Sequence, residues 1–150
     1  MLKESDRAPE ISLSDENGTV ISLDDFKGKK KVVYFYPKDD TPGCTREACG
    51  FRDSYDAILG KGAVVIGISA DSQKSHEKFK EKYCLPFYLL SDPEKSVIQA
   101  FGAWGEKKMY GKTREGIMRY TFILDEDNVV IRAFPKVKPD QHAEEVLSLL

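Results

Sequence analysis

The fold is decided by one continuous stretch, VVYFYPKDDTPGCTREACGFRDSYDAILGKGAVVIGIS, which covers residues 32–69. It opens with a β-branched and aromatic run at 32–36 and closes with a second apolar run at 63–69, a pattern typical of strands buried on both faces. Between them, apolar residues recur every three or four positions over 48–59, which indicates one face of a helix that ends near Gly60. A strand, a helix and a strand in this spacing predict a right-handed parallel crossover and therefore an α/β core.

The rest of the chain continues the alternation of strands and helices. Polar turns at Asn17-Gly18 and at residues 125–128 predict two antiparallel hairpins. The patterns predict further strands over 11–13, 20–23, 87–90, 120–124 and 129–134, and helices over 73–83, 97–101 and 140–150 with an Asp140 cap. Residues 102–118 are expected to be loops. Together these elements predict a thioredoxin-like three-layer α/β fold, with a mixed central sheet, helices on both faces and an N-terminal β-hairpin extension. No linker or repeat interrupts the sequence, so we expect a single domain over residues 1–150.

The composition argues against several classes of protein. Lysine and arginine number 23 and the acidic residues 25, mixed along the chain with a net charge of −2, so we expect no nucleic-acid binding. The longest apolar stretch, over 63–68, is far shorter than the ~20 residues of a membrane span, and no apolar signal core follows Met1. Three cysteines are too few for a secreted disulfide framework. We therefore expect a cytoplasmic protein without membrane contact, whose cysteines are catalytic, redox-active or metal-binding.

Cys44 lies where a buried strand gives way to a helix, which is a usual place for chemistry in an α/β sheet. A thiol in the first helical turn meets unpaired backbone N–H groups and the positive end of the helix dipole, and both favour the thiolate form. Pro42 has no N–H donor to leave unpaired, and Gly43 lets the backbone approach a small ligand. The hydroxyl of Thr41 can donate to a sulfur anion or to an oxygen beside it. The segment predicts a small polar pocket around a reactive cysteine; the alternative is a cysteine that only fills space.

Cys49 follows Cys44 by five positions, which places it about 140° around the helix and ~7.5 Å further along. Alpha carbons more than ~7 Å apart cannot be joined by a disulfide without backbone movement. A Cys44–Cys49 disulfide therefore requires the first turns of the helix to unwind. Gly50 weakens the helix at this point by about 1 kcal/mol relative to alanine, so we predict a helix start that can melt.

Two other functions would use the same cysteines. A thioredoxin-like fold also serves general protein dithiol–disulfide oxidoreductases, but their usual Cys-x-x-Cys spacing is missing here. A structural zinc module would draw on Cys44, Cys49, Cys84 and His76, whose spacings fit no compact ligand pattern. Taken alone, Cys84 is interpreted as a small half-buried apolar residue, and His76 as part of a solvated helix face. His142 is likewise interpreted as structural or exposed.

Several segments of the chain, taken in order, resemble the peroxiredoxin family, and specifically its bacterioferritin comigratory protein or Q-type branch of thiol peroxidases. The segments are YFYP (34–37), TPGCT (41–45), GIS (67–69), LLSD (89–92), FGAWGEK (101–107) and GIMRYTF (116–122). The resemblance covers essentially the whole chain. It implies a thiol-dependent peroxidase that reduces hydrogen peroxide and organic hydroperoxides.

The resemblance also implies roles for individual residues. Cys44 would be the peroxidatic nucleophile, Thr41 would hydrogen-bond the sulfur or the peroxide, and Arg119 would hold the thiolate and the substrate oxygens. Pro42 would shield the sulfur, and with Gly43 it would border the substrate. Glu47 falls on the family's acidic position, although locally it is interpreted as a helix-start carboxylate beside the dipole.

The remaining implications concern the recycling of the enzyme. Cys49 occupies the resolving position that part of this branch carries, so it would condense with the sulfenic acid of Cys44 into an intramolecular disulfide. Thioredoxin or a similar dithiol would reduce that disulfide. No metal or organic cofactor is implied, and a monomer or a weak dimer is expected.

Overall fold

The computed structural model describes the backbone of residues 1–150 and every side chain except that of Met109. The strands are β1 (Ser12–Ser14), β2 (Val20–Ser22), β3 (Lys30–Phe35), β4 (Ala63–Ser69), β5 (Tyr88–Ser91), β6 (Trp104–Met109), β7 (Lys112–Ile117), β8 (Thr121–Leu124) and β9 (Val130–Phe134). The α-helices are α1 (Pro42–Gly60), α2 (Gln73–Tyr83), α3 (Ser96–Ala100) and α4 (His142–Ser148), and a 3-10 turn covers Leu23–Phe26.

A mixed sheet in the order β2-β1-β5-β4-β3-β8-β9 forms the middle layer. β3 runs parallel to β4, and β4 runs parallel to β5, so the stretch that decides the fold forms the predicted parallel crossover. β8 pairs antiparallel with β3, and β9 pairs antiparallel with β8. The N-terminal hairpin of β1 and β2 joins the sheet through β5. The predicted thioredoxin-like three-layer fold is confirmed.

The central strands bury both faces because successive side chains of a strand point to opposite sides. Val32 and Tyr34 pack in the core that also contains residues of α1, α2 and α4. Val33 and Phe35 pack on the other side, with residues of α3 and the 3-10 turn. Each fully buried side chain of this size contributes roughly 1.5–3 kcal/mol to the free energy of unfolding. The two cores fix the carboxyl ends of β3 and β4, where the functional residues lie.

Helix α1 begins directly after an extended residue, Thr41, whose φ is −97°. Pro42 takes the first helical position, where its missing N–H is not needed. The helix ends as predicted, because Lys61 caps it and Gly62 follows with a φ of +75°. Cys44 is consequently the third residue of α1, within the first turn.

Residues 102–118 differ from the expected loops. They form an antiparallel hairpin of β6 and β7, in which Trp104 pairs with Ile117. Its turn consists of Tyr110 and Gly111, whose φ values are +53° and +75°. Two positive φ values in a two-residue turn match the right-handed twist of a hairpin.

The last helix is shorter than predicted. α4 begins at His142 after Gln141, and Asp140 instead forms an exposed ion pair with Arg46 at 2.7 Å. Among the described residues, none of the helices combines the length and the apolar character that a bilayer crossing requires. The assignment of residues 1–150 to one domain stays a prediction.

Candidate active site

Cys44 is the centre of the candidate active site. Its side chain is only 2% exposed, in the first turn of α1 beside the carboxyl end of β3. The first turn of a helix leaves backbone N–H groups without intrahelical partners, and these groups favour an anion at the sulfur. Cys44 therefore lies at the predicted position in the first helical turn, and its reactivity stays a prediction.

Arg119 brings its guanidinium directly to this sulfur. Its Nη2 donates to Sγ of Cys44 at 3.3 Å, and its Nη1 donates to Oε1 of Glu47 at 2.8 Å. The backbone on both sides of Arg119 is fixed, because Met118 N–H donates to Ala103 at 2.7 Å and the Tyr120 carbonyl accepts from Phe35 at 2.8 Å. The fold thus joins two of the predicted site residues, Cys44 and Arg119, that are 75 positions apart.

Gly43 makes room for the guanidinium of Arg119. A Cβ atom at this position would lie 3.3 Å from Nη2 of Arg119, closer than most contacts of a real Cβ. Glycine at this position therefore permits the close approach of a protein side chain. The predicted approach of a small ligand to Gly43, and with it contact with substrate, stays a prediction.

Thr41 and Pro42 lie at the entrance to α1. The hydroxyl of Thr41 donates to the carbonyl oxygen of Lys38 at 2.8 Å, and in the described part of the chain it makes no hydrogen bond to Cys44. Pro42 is exposed at the first helical position. The predicted contacts of Thr41 and Pro42 with sulfur and peroxide therefore stay predictions.

Glu47 is more than a helix-start carboxylate beside the dipole, because it is buried and 1% exposed. Burial raises its pKa from the ordinary 4.5 to about 7, and the nearby charge and hydrogen bond of Arg119 oppose this shift only in part. Its second oxygen, Oε2, is buried without a hydrogen-bond partner among the described residues. Glu47 therefore changes its charge near neutral pH, in contact with the same arginine that touches Cys44.

Tyr34 is a further neighbour of the site that the sequence did not single out. Its hydroxyl is buried and lacks a hydrogen-bond partner among the described residues. Burial raises the pKa of this phenol well above its usual range, and the negative charges of Glu47 and Cys44 raise it further. Tyr34 is therefore a neutral phenol within electrostatic range of both groups.

Arg119 and Lys107 both lie within electrostatic range of Cys44. Burial lowers the pKa of Arg119, but Glu47 and Cys44 more than offset this effect, so the pKa is raised overall. Lys107, on β6, has its pKa lowered by burial first and then by the charge of Arg119, while Cys44 opposes the shift. The sequence offered no signal for Lys107 beyond its place in the FGAWGEK segment.

The other two cysteines lie in less enclosed surroundings. Cys49 is half-buried on α1, and Cys44, Cys49 and Cys84 are all free thiols. Cys84 was expected to be half-buried, but it is exposed, because it caps the end of α2 in a left-handed conformation with a φ of +53°.

The interpretation of His76 as a residue of a solvated helix face is wrong. His76 is fully buried, because it lies three positions before Phe79 and shares the inward side of α2. His142 is also buried, and its Nε2 lies 2.7 Å from the hydroxyl of Thr121. Within the described residues, the only group of possible metal ligands consists of Asp39, Asp71 and His76, so the fold does not assemble the cysteine-based zinc set.

This geometry defines a class of enzyme: a thioredoxin-like fold with a free cysteine at a helix start and an arginine on its sulfur. Residues 5–133 match the AhpC/TSA family. Peroxiredoxin Bcp of Bacillus subtilis is 49% identical over 144 residues, which cover 96% of this chain and 92% of that protein. Peroxiredoxin Bcp of Escherichia coli is 45% identical over 149 residues, which cover 99% and 96%.

Solved structures agree with the sequence relatives. Peroxiredoxin Q of Xanthomonas campestris superposes with a TM-score of 0.87 at 42% identity, covering 93% of this chain and 88% of that chain. The bacterioferritin comigratory protein of Xanthomonas campestris, studied for its alkyl peroxide reduction activity, gives a TM-score of 0.87 at 41% identity with the same coverage. The chain belongs to the AhpC/TSA family, in the branch of the bacterioferritin comigratory protein and peroxiredoxin Q. It is a peroxiredoxin, and its predicted activity as a thiol peroxidase is confirmed.

Proposed function

We propose that this peroxiredoxin reduces hydrogen peroxide and organic hydroperoxides through Cys44, with Cys49 as its resolving cysteine. The observation that carries the proposal is the 3.3 Å contact between Nη2 of Arg119 and Sγ of Cys44. A cation and the start of a helix face one buried sulfur, and such groups stabilise a thiolate and the charge that develops on peroxide oxygens. No other cysteine of the described structure accepts a hydrogen bond from an arginine.

The first step is the attack of the Cys44 thiolate on one oxygen of the hydroperoxide. An S–O bond forms while the O–O bond breaks, and the leaving hydroxide or alkoxide takes up a proton, so that Cys44 becomes a sulfenic acid. Arg119 stabilises the leaving oxygen, and the hydroxyl of Thr41 donates to it after turning from the Lys38 carbonyl. Pro42 and Gly43 border the peroxide.

Glu47 acts on this step through Arg119. Its Oε1 holds one nitrogen of the guanidinium at 2.8 Å, which leaves the other nitrogen directed at the sulfur. A forked guanidinium held in this way has little freedom to turn from Cys44. Glu47 is therefore a positioning residue for Arg119.

The second step joins Cys49 to Cys44. The thiol of Cys49 attacks the sulfenic sulfur, a disulfide forms, and the sulfenic oxygen leaves as water. The first turns of α1 unwind to bring the two sulfurs together. A dithiol protein such as thioredoxin then reduces the disulfide, in the cytosol where such reductants are kept reduced. The enzyme works as a monomer or a weak dimer, with residues 1–150 as one domain.

Mass spectrometry after one equivalent of peroxide tests the proposal. We expect oxidation first at Cys44 and then a disulfide between Cys44 and Cys49. C44S is expected to abolish peroxide consumption, whereas C49S completes one turnover and then stops because its sulfenic acid is not resolved. C84S is the matched control and is expected to keep steady-state turnover. Full steady-state activity of C49S with thioredoxin, or insulin reduction faster than peroxide reduction in the parent protein, would contradict the proposal.

A further inference from the structure

A second buried polar cluster lies beside the active site and plays no part in the chemistry described above. It joins the loop before α1 to helix α2, and its centre is the pair of Asp39 and His76. His76 is fully buried and Asp39 is 7% exposed. Nδ1 of His76 lies 2.7 Å from Oδ2 of Asp39, and its Nε2 lies 3.0 Å from the carbonyl oxygen of Leu90.

These contacts determine where the protons of the cluster are. A carbonyl oxygen only accepts hydrogen bonds, so Nε2 of His76 carries a proton. A second proton lies between Nδ1 and Asp39, since a bare ring nitrogen and a carboxylate oxygen cannot donate to each other. Asp39 also accepts from the hydroxyls of Tyr36 at 2.6 Å and Ser75 at 2.8 Å. Several donors converge on this one carboxylate, so Asp39 and His76 are held to each other and to α2 by a filled set of hydrogen bonds.

The polar atoms of this cluster are bonded to one another, which distinguishes it from a metal site. The backbone N–H of Asp39 donates to Oδ2 of Asp71 at 2.9 Å, and the hydroxyl of Ser69 donates to the same oxygen at 2.7 Å. The side chains of Asp39, Asp71 and His76 offer ligand atoms within 4.8 Å of one another. A cation would have to displace the proton between His76 and Asp39, so the arrangement is suited to holding the loop.

The loop held by this cluster leads directly into Cys44. Asp40 has a φ of +56°, and its carboxylate accepts from Lys82 at 2.8 Å and from Tyr83 at 2.6 Å. Two consecutive carboxylates are thus attached to α2. Thr41, the N-cap of α1, makes no capping hydrogen bond with its side chain. The position of the helix start therefore depends on the loop that precedes it.

We propose that His76 is a positioning residue for the peroxidase reaction. Its ring holds Asp39, and through Asp39 it holds the loop that sets where Cys44 lies relative to Arg119. The inference rests on the proposed role of Cys44. When the first turns of α1 unwind for disulfide formation, the loop stays anchored to α2, so the contact acts on the attack step, in which Cys44 and Arg119 must be aligned. Removing the ring slows the attack on peroxide and does not slow disulfide formation.

Stopped-flow kinetics of H76Q separate these two steps. Glutamine keeps hydrogen-bond donors but cannot reach Asp39 and Leu90 at once. We expect the second-order rate constant for Cys44 oxidation to fall by about tenfold or more, because small displacements of reacting groups carry large kinetic costs. The rate constant for disulfide formation is expected to be unchanged or higher.

Two further variants of α2 serve as controls: the first is expected to have a smaller effect than H76Q, and the second none. S75A removes one hydrogen bond to Asp39 and leaves the ring of His76, so oxidation of Cys44 is expected to slow only about threefold. K80Q removes the ion pair that Lys80 makes with Glu16. Lys80 is on the same helix as His76 but away from the loop. It is expected to leave both rate constants unchanged.

The two rate constants together give a readout that a purely structural role would not produce, because general destabilisation of the fold would change both steps. A folded H76Q with both parental rate constants, or with both rate constants lowered equally, would overturn the proposal.

A misfolded H76Q and an active C44S have different consequences. If H76Q does not fold, S75A and D39N are used in its place. Parental oxidation rates of Cys44 in both variants would overturn the proposal. Slowed oxidation together with a parental rate of disulfide formation would support it. If C44S keeps its peroxidase activity, the proposed role of Cys44 fails instead. C44S leaves His76 intact and H76Q leaves Cys44 intact, so the two failures are distinguishable.

Discussion

Two buried pairs of a basic and an acidic side chain lie near the start of α1, and they differ in how completely their polar atoms are bonded. Arg119 and Glu47 are 2.8 Å apart, and His76 and Asp39 are 2.7 Å apart. Oε2 of Glu47 has no hydrogen-bond partner in the described part of the chain. Both oxygens of Asp39, in contrast, accept hydrogen bonds.

The difference separates a reactive region from a supporting one. A buried polar atom without a partner costs roughly 1–3 kcal/mol, so native proteins keep few of them. The pair beside Cys44 keeps two such atoms nearby, on Glu47 and Tyr34. The polar atoms of the pair of Asp39 and His76 are all hydrogen-bonded, and this makes the pair rigid. Among the described residues, two further buried atoms without a partner lie on Glu16 and Asn128, so the contrast concerns these two pairs alone.

The largest expected effect concerns the cation of the reactive pair. Arg119→Met removes the donor to Cys44 and leaves Glu47 without its partner. We expect the second-order rate constant for peroxide to fall by roughly 10²–10³-fold, as for the loss of other groups that stabilise developing charge. Arg46→Met removes an exposed ion pair with Asp140 and is expected to keep the parental rate. A loss below tenfold in Arg119→Met would show that another group stabilises the sulfur.

The next effect concerns Glu47 and the pH dependence of stability. The folded state keeps the proton of Glu47 up to a pKa of about 7, whereas an unfolded chain releases it near 4.5. The contribution of Glu47 to the free energy of unfolding is therefore fully present below pH 4.5 and is lost as the pH rises through 7. The total loss is about 3 kcal/mol.

Urea unfolding of the parent and of Glu47→Gln across this pH range measures the effect. Glutamine has no proton to release, so the difference in free energy of unfolding between the two proteins should change by that amount. Parallel stability curves for the two proteins would show that Glu47 ionises at its ordinary pKa.

Two tyrosines of similar burial sharpen the comparison further. The hydroxyl of Tyr36 donates to Asp39 at 2.6 Å, whereas that of Tyr34 has no partner in the described structure. Tyr36→Phe is expected to lower the free energy of unfolding by about 1–3 kcal/mol, because Asp39 loses a donor. Tyr34→Phe is expected to be neutral or slightly stabilising. Equal losses in the two variants, measured by urea unfolding, would remove the distinction between the two regions.

The smallest expected effect concerns Thr41. Its hydroxyl donates to the Lys38 carbonyl, and we propose that it turns to the peroxide during the reaction. Thr41→Val is expected to slow Cys44 oxidation by about tenfold, the value of one hydrogen bond to a charged group. Thr41→Ser keeps the hydroxyl and should stay within a few fold of the parent. Equal rates in the two variants would show that the hydroxyl of Thr41 only stabilises the loop and does not act on the peroxide.

Strong periodic patterns made most of the fold predictable. The helix predicted over 73–83 and the strand predicted over 63–69 have the observed bounds, because apolar spacing and capping residues agree there. Cys44 was identified from its position at a helix start. Arg119 was identified only by resemblance, because nothing local distinguishes an arginine 75 positions away.

Other features could not be predicted because tertiary contacts decide them. The charged residues around His76 indicated an exposed helix face, yet its spacing from Phe79 turns it inwards to Asp39. The hairpin of β6 and β7 is mostly exposed, so it lacks the apolar alternation that marks a strand. The Tyr110-Gly111 pair was the one local sequence feature that pointed to a turn in this hairpin.

Helix α1 has two parts with different duties. Its first turns hold Cys44 and Cys49 and reach the main core through Cys44 and Ala48, and from Phe51 onward its larger apolar side chains lie in the same core. Gly50 stands at the boundary, where a Cβ would lie 3.4 Å from Cβ of Ala143 in α4. In the proposed disulfide step, unwinding that starts at Cys44 would end at Phe51, whose side chain is fully buried. Each turnover would then rearrange only a short segment of backbone and leave the rest of the molecule in place.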